Sequence, residues 1–263
     1  MLAFGTRATA DAQRRQLDSN GLIFYKSEWM LTGTDLALSP TIFLIEQPAN
    51  GAAPAHYHGQ NQFQVFVEGT GRIGREEIAA VTIHYAGAYT GYGPLIAGPQ
   101  GMKYFTIRTV YETGLLPLPE ARAQQAPGPK RHATSRPIGS LTPEELARLP
   151  QSERIEAIAY AADGLGAEVL REPPGQRLTL NWPAAADCVF LMVVGGSLVR
   201  EQGDEITRWE SIYASTPQEL PVLHAGAGGA EVLAMFAPPR DPAYHGLVWQ
   251  SVNPWVRQSL PVA

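Results

Sequence analysis

The chain has 263 residues, enough for one large domain or two small ones. Its formal net charge of −5 argues against binding to nucleic acid or to an anionic membrane surface, because both require a basic face. The 26 glycines and 22 prolines, together with little helical periodicity, indicate an all-β chain with many turns.

The cellular location is indicated by what the sequence lacks. Cys188 is the single cysteine, so no intrachain disulfide can form and a reducing cytoplasm is favoured. The first 15 residues lack the continuous apolar stretch of a secretory signal, and no apolar run reaches the roughly 18–20 residues of a membrane span. We therefore expect a cytoplasmic protein with no membrane partner.

The first half of the chain predicts five or six strands. Residues 1–20 are polar and rich in arginine, which indicates an arm or a short helix. Alternating or short continuous apolar patterns predict strands at 21–29, 41–46, 63–67, 81–86 and 102–109. Residues 89–101 are rich in turn-forming residues.

The pattern changes after residue 114. Residues 115–137 contain five prolines, which predicts a partly extended linker, or alternatively an arm that packs across a neighbour. Residues 141–149 predict a short helix, with Thr142 as N-cap, Pro143 next to it and glutamates in the first turn. Strands are predicted again at 167–170, 177–182, 189–199, 205–212 and 231–238.

The chemistry of the chain is concentrated in residues 51–71. His56 and His58 are two residues apart, so on a strand both imidazoles point to one face. Gln62 has the same parity and would add a side-chain oxygen. Imidazole and oxygen donors suit Fe, Mn, Ni, Co, Cu or Zn. The alternative is that the histidines are exposed polar residues on a half-buried sheet.

This spacing resembles the first motif of the cupin family: a glycine, H-x-H, a glutamate and a second glycine. Here the pattern is Gly51, His56, His58, Gln62 and Gly69, with glutamine in the place of the glutamate. The family's second motif supplies a further histidine after a P-x-G-x-x lead. The region we match to it, residues 85–94, lacks that histidine and has Tyr89, Thr90 or Tyr92 near its place.

Four more residues are candidates for the same site. His84 could face the barrel interior and add a third imidazole, or it could be hydrogen-bonded elsewhere in its strand. Glu68 shares the parity of Gln62 and is a candidate base, unless it is a solvent-exposed carboxylate. Arg108 could hold a substrate carboxylate through two hydrogen bonds, and Tyr92 could line the pocket.

The two halves of the chain resemble a repeat. Placing Gly69 over Gly195 aligns Gln62 with Cys188, and none of the ligand types is retained in the second half. The resemblance therefore implies tandem cupin jelly-roll barrels, the second one degenerate. We predict a first barrel at 1–114 with the candidate metal site, a linker with a short helix at 115–157, and a second barrel at 158–263.

The resemblance also implies a function class. Cupins commonly bind a divalent metal, here Fe, Mn, Ni, Cu or Zn, and often form homodimers. One hypothesis is a metal-dependent, dioxygenase-like oxidoreductase that acts on a small oxygenated compound, with His56, His58, Gln62 and His84 as ligands. The other is a non-catalytic protein that binds a small molecule. A structural scaffold would leave the histidine motif unexplained.

Overall fold

The computed structural model describes residues 1–19, 21–31, 39–112 and 114–247. The first part of the chain forms β1 (Leu2–Gly5), α1 (Arg7–Gln13), β2 (Arg15–Ser19), β3 (Leu22–Leu31), β4 (Thr41–Gln47), β5 (Ala52–Ala53), β6 (His56–Tyr57), β7 (Gln62–Ile73), β8 (Glu76–Ala79), β9 (Thr82–Ala86), β10 (Leu95–Arg108), β11 (Leu116–Pro117) and β12 (His132–Thr134). The second part forms α2 (Pro143–Ala147), β13 (Glu153–Ile158), β14 (Gly166–Glu172), β15 (Cys188–Arg200), β16 (Glu205–Ile206), β17 (Ser211–Ala214) and β18 (Leu223–Ala237). The predicted all-β class is confirmed.

These strands form two large antiparallel sheets. The first sheet has the order β12-β9-β7-β10-β4-β3-β2, with β5 on β10 and β8 on β7. The second has the order β1-β17-β15-β18-β14-β13, with β16 on β15. A small separate ladder joins β11 to β6. None of the described helices is long and apolar enough to span a membrane.

The strand pairing differs from the predicted segments in several places. β1, at the start of the chain, pairs with β17 in the second sheet. The predicted strand at 177–182 is wrong, because this segment makes only an isolated bridge between Arg177 and His224. The Pro-rich segment is more than a linker, since β11 pairs with β6 and β12 pairs with β9. The boundaries of the three segments remain a prediction.

The predicted short helix is confirmed as α2. The Thr142 side chain accepts a hydrogen bond from the Glu145 backbone, and the Glu145 side chain accepts one from the Thr142 backbone. This reciprocal capping box satisfies two backbone N–H groups that have no partner within the helix. The buried Leu146 anchors the helix to the glycines of the second sheet.

The two sheets pack face to face over a shared apolar core. Alternate residues of β7 and β10, such as Val65 and Phe105, contribute to this core from the first sheet. Phe190 and Met235 contribute from the second sheet. The opposite face of each sheet encloses a smaller interior of its own. A period of two along each strand therefore separates the residues between the sheets from those inside each barrel.

The structure corrects the register of the repeat by one residue. Gly69 has φ +77° and lies against the carbonyl oxygen of Gly101, while Gly196 has φ +61° and lies against that of Gly229. Gly69 therefore corresponds to Gly196 rather than to Gly195. A one-residue shift exchanges the two faces of a strand, so Val189, not Cys188, stands where the first barrel has Gln62.

Candidate functional site

The interior of the first barrel holds a cluster of buried polar side chains. Gln62 on β7 lies opposite Arg108 on β10, and Gln64 lies opposite His84 on β9. All four residues are at most 3% exposed. His56 and His58 enter the same cluster from β6 and the turn that follows it. The name polar cluster is used below for eight residues: His56, His58, Gln62, Gln64, His84, Tyr92, Arg108 and Glu112.

His56 has a defined tautomer. Its Nδ1 lies 2.7 Å from the carbonyl oxygen of Pro54, which can only accept, so Nδ1 carries the proton. Its Nε2 then accepts the hydroxyl proton of Tyr92 at 2.8 Å, and the Gln62 amide donates to the same phenol oxygen. Burial, followed by the charge of protonated His58, lowers the pKa of His56 to about 3. The ring is neutral at neutral pH.

His58 lies between an arginine and a carboxylate. Its Nδ1 is 3.3 Å from Glu112 Oε1, and one guanidinium nitrogen of Arg108 is 3.1 Å from Nδ1 and 3.3 Å from Nε2. Burial, and then the charge of Arg108, hold its pKa well below the usual range. Arg108 also donates to Gln62 Oε1 at 3.0 Å and to the backbone oxygen of Glu112 at 3.2 Å. The guanidinium is therefore surrounded by neutral acceptors.

Glu112 is a cluster member that the sequence did not reveal. It lies in the loop after β10, where no alternation indicates which way a side chain points. Its Oε1 accepts from the backbone N–H of Gly59 at 3.1 Å. Burial raises its pKa to about 7 although Arg108 is near. Its Oε2 is buried and has no hydrogen-bond partner among the described residues.

His84 faces the barrel interior, as its parity predicts. Its Nδ1 is 2.9 Å from the hydroxyl of Thr134, and its ring centroid lies 5.0 Å from that of Tyr92. Burial, and then the charge of His132, lower its pKa to about 3. Its Nε2 and the neighbouring Gln64 Oε1 are both buried without a hydrogen-bond partner in the described part of the chain.

Glu68 is not part of the cluster, which corrects the parity argument. β7 contains a bulge, because Phe66 lies opposite Tyr104 whereas Glu68 lies opposite Lys103. The extra residue, Val67, reverses the direction of the side chain that follows it. Glu68 therefore forms a half-exposed ion pair with Lys103 at 2.9 Å. It has no contact with the histidines.

The second cupin motif also has a different position from the one assigned above. The P-x-G-x-x lead occurs at residues 99–103, in the turn and strand that pair with Gly69. Tyr104 follows it, so tyrosine occupies the place of the expected histidine. Its buried ring lies 5.2 Å from that of Phe66, inside the first barrel. The signal was in the sequence, one strand later than residues 85–94.

As arranged, the polar cluster does not fit a metal ion. No group of three or more His, Cys, Asp or Glu side chains in the described residues could hold one. His56 Nε2 is occupied by the Tyr92 hydroxyl, and Gln62 Oε1 is occupied by Arg108. The guanidinium within the cluster would also repel a divalent cation at close range in a buried site.

The second barrel has no comparable cluster among its described residues. In the corrected register, Val189, Leu191, Ile212 and Phe236 occupy the places of Gln62, Gln64, His84 and Arg108. All four belong to one buried apolar core. Its interior is therefore packed with hydrocarbon at the positions where the first barrel is polar.

Comparison with known proteins supports the fold. No protein-family model and no curated protein matches the sequence. Among solved structures, a candidate dioxygenase from Nostoc punctiforme aligns with TM-score 0.54 at 12% identity, covering 92% of this chain and 81% of its own. The Escherichia coli pirin YhhW, in complex with nickel(II), aligns with TM-score 0.53 at 13% identity, covering 91% and 100%.

A third similar structure is a deletion mutant of Bacillus subtilis oxalate decarboxylase, with TM-score 0.52 and 10% identity over 87% of this chain and 76% of that one. At such identities the likeness concerns the fold alone. It agrees with the two sheets and the paired glycine turns described above. The chain has the tandem cupin, or bicupin, fold, with a degenerate second barrel.

Proposed function

We propose that this bicupin binds a small organic molecule in its first barrel, through Arg108 and neutral polar side chains and without a resident metal ion. The observation that carries the proposal is the position of Arg108. Its guanidinium donates to Gln62 Oε1 and lies within 3.3 Å of both ring nitrogens of His58. A fixed organic cation thus lies among the side chains that the family resemblance would assign to a metal.

Unpaired polar atoms in the same interior support a ligand. Buried polar atoms almost always have a hydrogen-bond partner, because leaving one without a partner costs on the order of 1–3 kcal/mol. Gln64 Oε1, His84 Nε2 and Glu112 Oε2 have none among the described residues. A small molecule with both donor and acceptor groups would supply the missing partners.

The second candidate function is the metal-dependent, dioxygenase-like oxidoreductase. Its support is that burial keeps three imidazoles neutral, which metal binding requires, and that His84 Nε2 has no described partner. A nickel-bound pirin also has a similar fold. In this alternative, Tyr92 and Arg108 would have to give up their contacts with the histidines and with Gln62.

Metal content distinguishes the two candidates. We would measure Fe, Mn, Ni, Cu and Zn by inductively coupled plasma mass spectrometry in protein purified without chelators or a histidine tag. The control is the double variant His56→Ala/His58→Ala. We expect equal, trace metal in both proteins. Near-stoichiometric metal in the parent that is lost in the double variant would overturn the proposal in favour of the metalloenzyme.

A further inference from the structure

Among the described residues, Arg108 is buried without an ion pair, unlike two of the partly buried arginines. Arg15 and Arg171 each have a carboxylate oxygen within 2.9 Å, from Glu28 and Glu231 respectively. The less buried Arg240 also has no carboxylate within 4.0 Å in the described part of the chain and donates to backbone oxygens instead. Arg108 is the most buried arginine of the described residues, at 3% exposure. It nevertheless has no carboxylate within 4.0 Å in that part of the chain.

The neighbours of Arg108 do not cancel its charge. Three of its five N–H groups are taken by an amide oxygen, a backbone oxygen and an imidazole, all of them neutral. A nearby carboxyl group, Glu112, contacts His58 and the Gly59 backbone through Oε1 instead. Burial of an unpaired charge is costly, so proteins normally place an opposite charge beside it.

A second group of charged side chains lies near Arg108, around the Phe43 ring. Lys26 Nζ lies 4.0 Å from the centroid of the Phe43 ring, and the guanidinium carbon of Arg108 lies 5.5 Å from it. Lys26 and Arg15 share one carboxylate oxygen of Glu28, at 2.8 and 2.9 Å. Two cations, Lys26 and Arg108, thus lie beside the Phe43 ring, while Oε2 of Glu28 is buried without a hydrogen-bond partner among the described residues.

We infer that the ligand of the first barrel is a small organic oxyanion, a carboxylate or a phosphate, whose charged group binds Arg108. This inference rests on the proposed function and specifies its ligand class. The planar fork of arginine matches both carboxylate and phosphate oxygens through paired hydrogen bonds. The anion supplies the counter-charge that Arg108 lacks.

The test is isothermal titration calorimetry with defined probes. Acetate and benzoate represent carboxylates, inorganic phosphate represents the other oxyanion class, and benzamide is the neutral isostere of benzoate. The proteins are the parent, Arg108→Gln, Arg108→Lys and the matched control Arg154→Gln from the second sheet. Circular dichroism and thermal melting check that each variant is folded.

We expect at least one oxyanion to bind the parent and Arg154→Gln equally. Binding should weaken at least about tenfold in Arg108→Gln, because the charged hydrogen-bond donor to the oxyanion is removed. Arg108→Lys should restore part of the affinity, because the charge is kept. Whether acetate, benzoate or phosphate binds best identifies the class of oxyanion.

Three results would overturn the inference. They are equal affinity for benzoate and benzamide, undiminished oxyanion binding by folded Arg108→Gln, and no oxyanion binding to the parent at about 10 mM, well above a millimolar Kd. Benzamide binding without preference would leave the proposed small-molecule function intact. Stoichiometric metal, in contrast, would refute the proposed function itself.

Discussion

Acidification should destabilise this protein through the buried histidines of the first barrel. The pKa of His56 and that of His84 are each lowered to about 3 in the folded chain, against 6.5 as their ordinary value. Between pH 6.5 and 3 the unfolded chain therefore binds protons that the folded chain does not. The free energy of unfolding is unaffected above this window and falls as the pH decreases through it.

The size of this loss in the free energy of unfolding follows from how far the pH lies below the ordinary histidine pKa. At pH 5.0 each unfolded histidine is about 1.5 pH units below its ordinary pKa, which corresponds to about 2 kcal/mol per histidine and about 4 kcal/mol for the two. His58 contributes in the same direction, because its pKa is also lowered. These losses are large compared with the 5–15 kcal/mol stability of a typical domain.

Glu112 acts in the opposite direction. Its pKa is raised to about 7 in the folded chain from an ordinary value of 4.5. Its contribution to stability is fully present below pH 4.5 and is lost as the pH rises through 7, so acidification from pH 7.5 to 5.0 recovers about 2 kcal/mol. The parent should therefore lose about 2 kcal/mol over this range, in addition to the contribution of His58.

Urea denaturation at pH 7.5 and 5.0 measures this difference. Relative to the parent, Glu112→Gln should lose about 2 kcal/mol more on acidification, and His84→Gln about 2 kcal/mol less. His245→Gln, which removes an exposed histidine, is the control. The pH difference is taken within each variant, so any stability lost at pH 7.5 cancels. The same pH difference in all four proteins would refute the assignment of neutral, buried histidines.

Three further substitutions test the fold by urea denaturation. Phe236→Ala should cost about 3–5 kcal/mol, because this side chain is fully buried in the second barrel; a loss below about 1 kcal/mol would contradict a packed interior. Gly69→Ala should be far more destabilising than Gly175→Ala. Both glycines have positive φ, so both substitutions strain the backbone. An added Cβ would collide with a backbone oxygen at Gly69, whereas it would meet nothing within 4 Å at Gly175. Equal costs would exclude the close strand approach. Thr142→Ala should cost about 1 kcal/mol through loss of the α2 cap, and no change would mean that the cap does not contribute to stability.

Patterns between residues close in sequence were predictable without coordinates. The two-residue spacing of His56 and His58 brings two imidazoles into one cluster, and the alternation around His84 directs a third towards it. The signals at the start of α2 are equally local, since a capping box needs only four consecutive residues. The strand period and the many turn residues indicated the all-β class, and the resemblance to the cupin motif implied the tandem barrels.

Pairing between distant strands decided the rest. A single extra residue in β7, invisible in the alternation, turns Glu68 away from the cluster. The register of the second barrel depends on which glycine meets the neighbouring strand, and the one-residue difference places Val189 rather than Cys188 in its interior. Neither the bulge in β7 nor the register of the second barrel can be predicted from neighbouring residues, because strand register is set by contacts across the sheet.

The electrostatic character of the site likewise arises only in three dimensions. His58, Arg108 and Glu112 come from separate segments, and their contacts determine which groups are charged. From the sequence, His56, His58 and Gln62 could be expected to share one face. That a buried guanidinium lies among them without a carboxylate partner in the described chain depends on strand pairing across the barrel. The protonation states follow from that burial, because desolvation acts on the folded environment rather than on residue type.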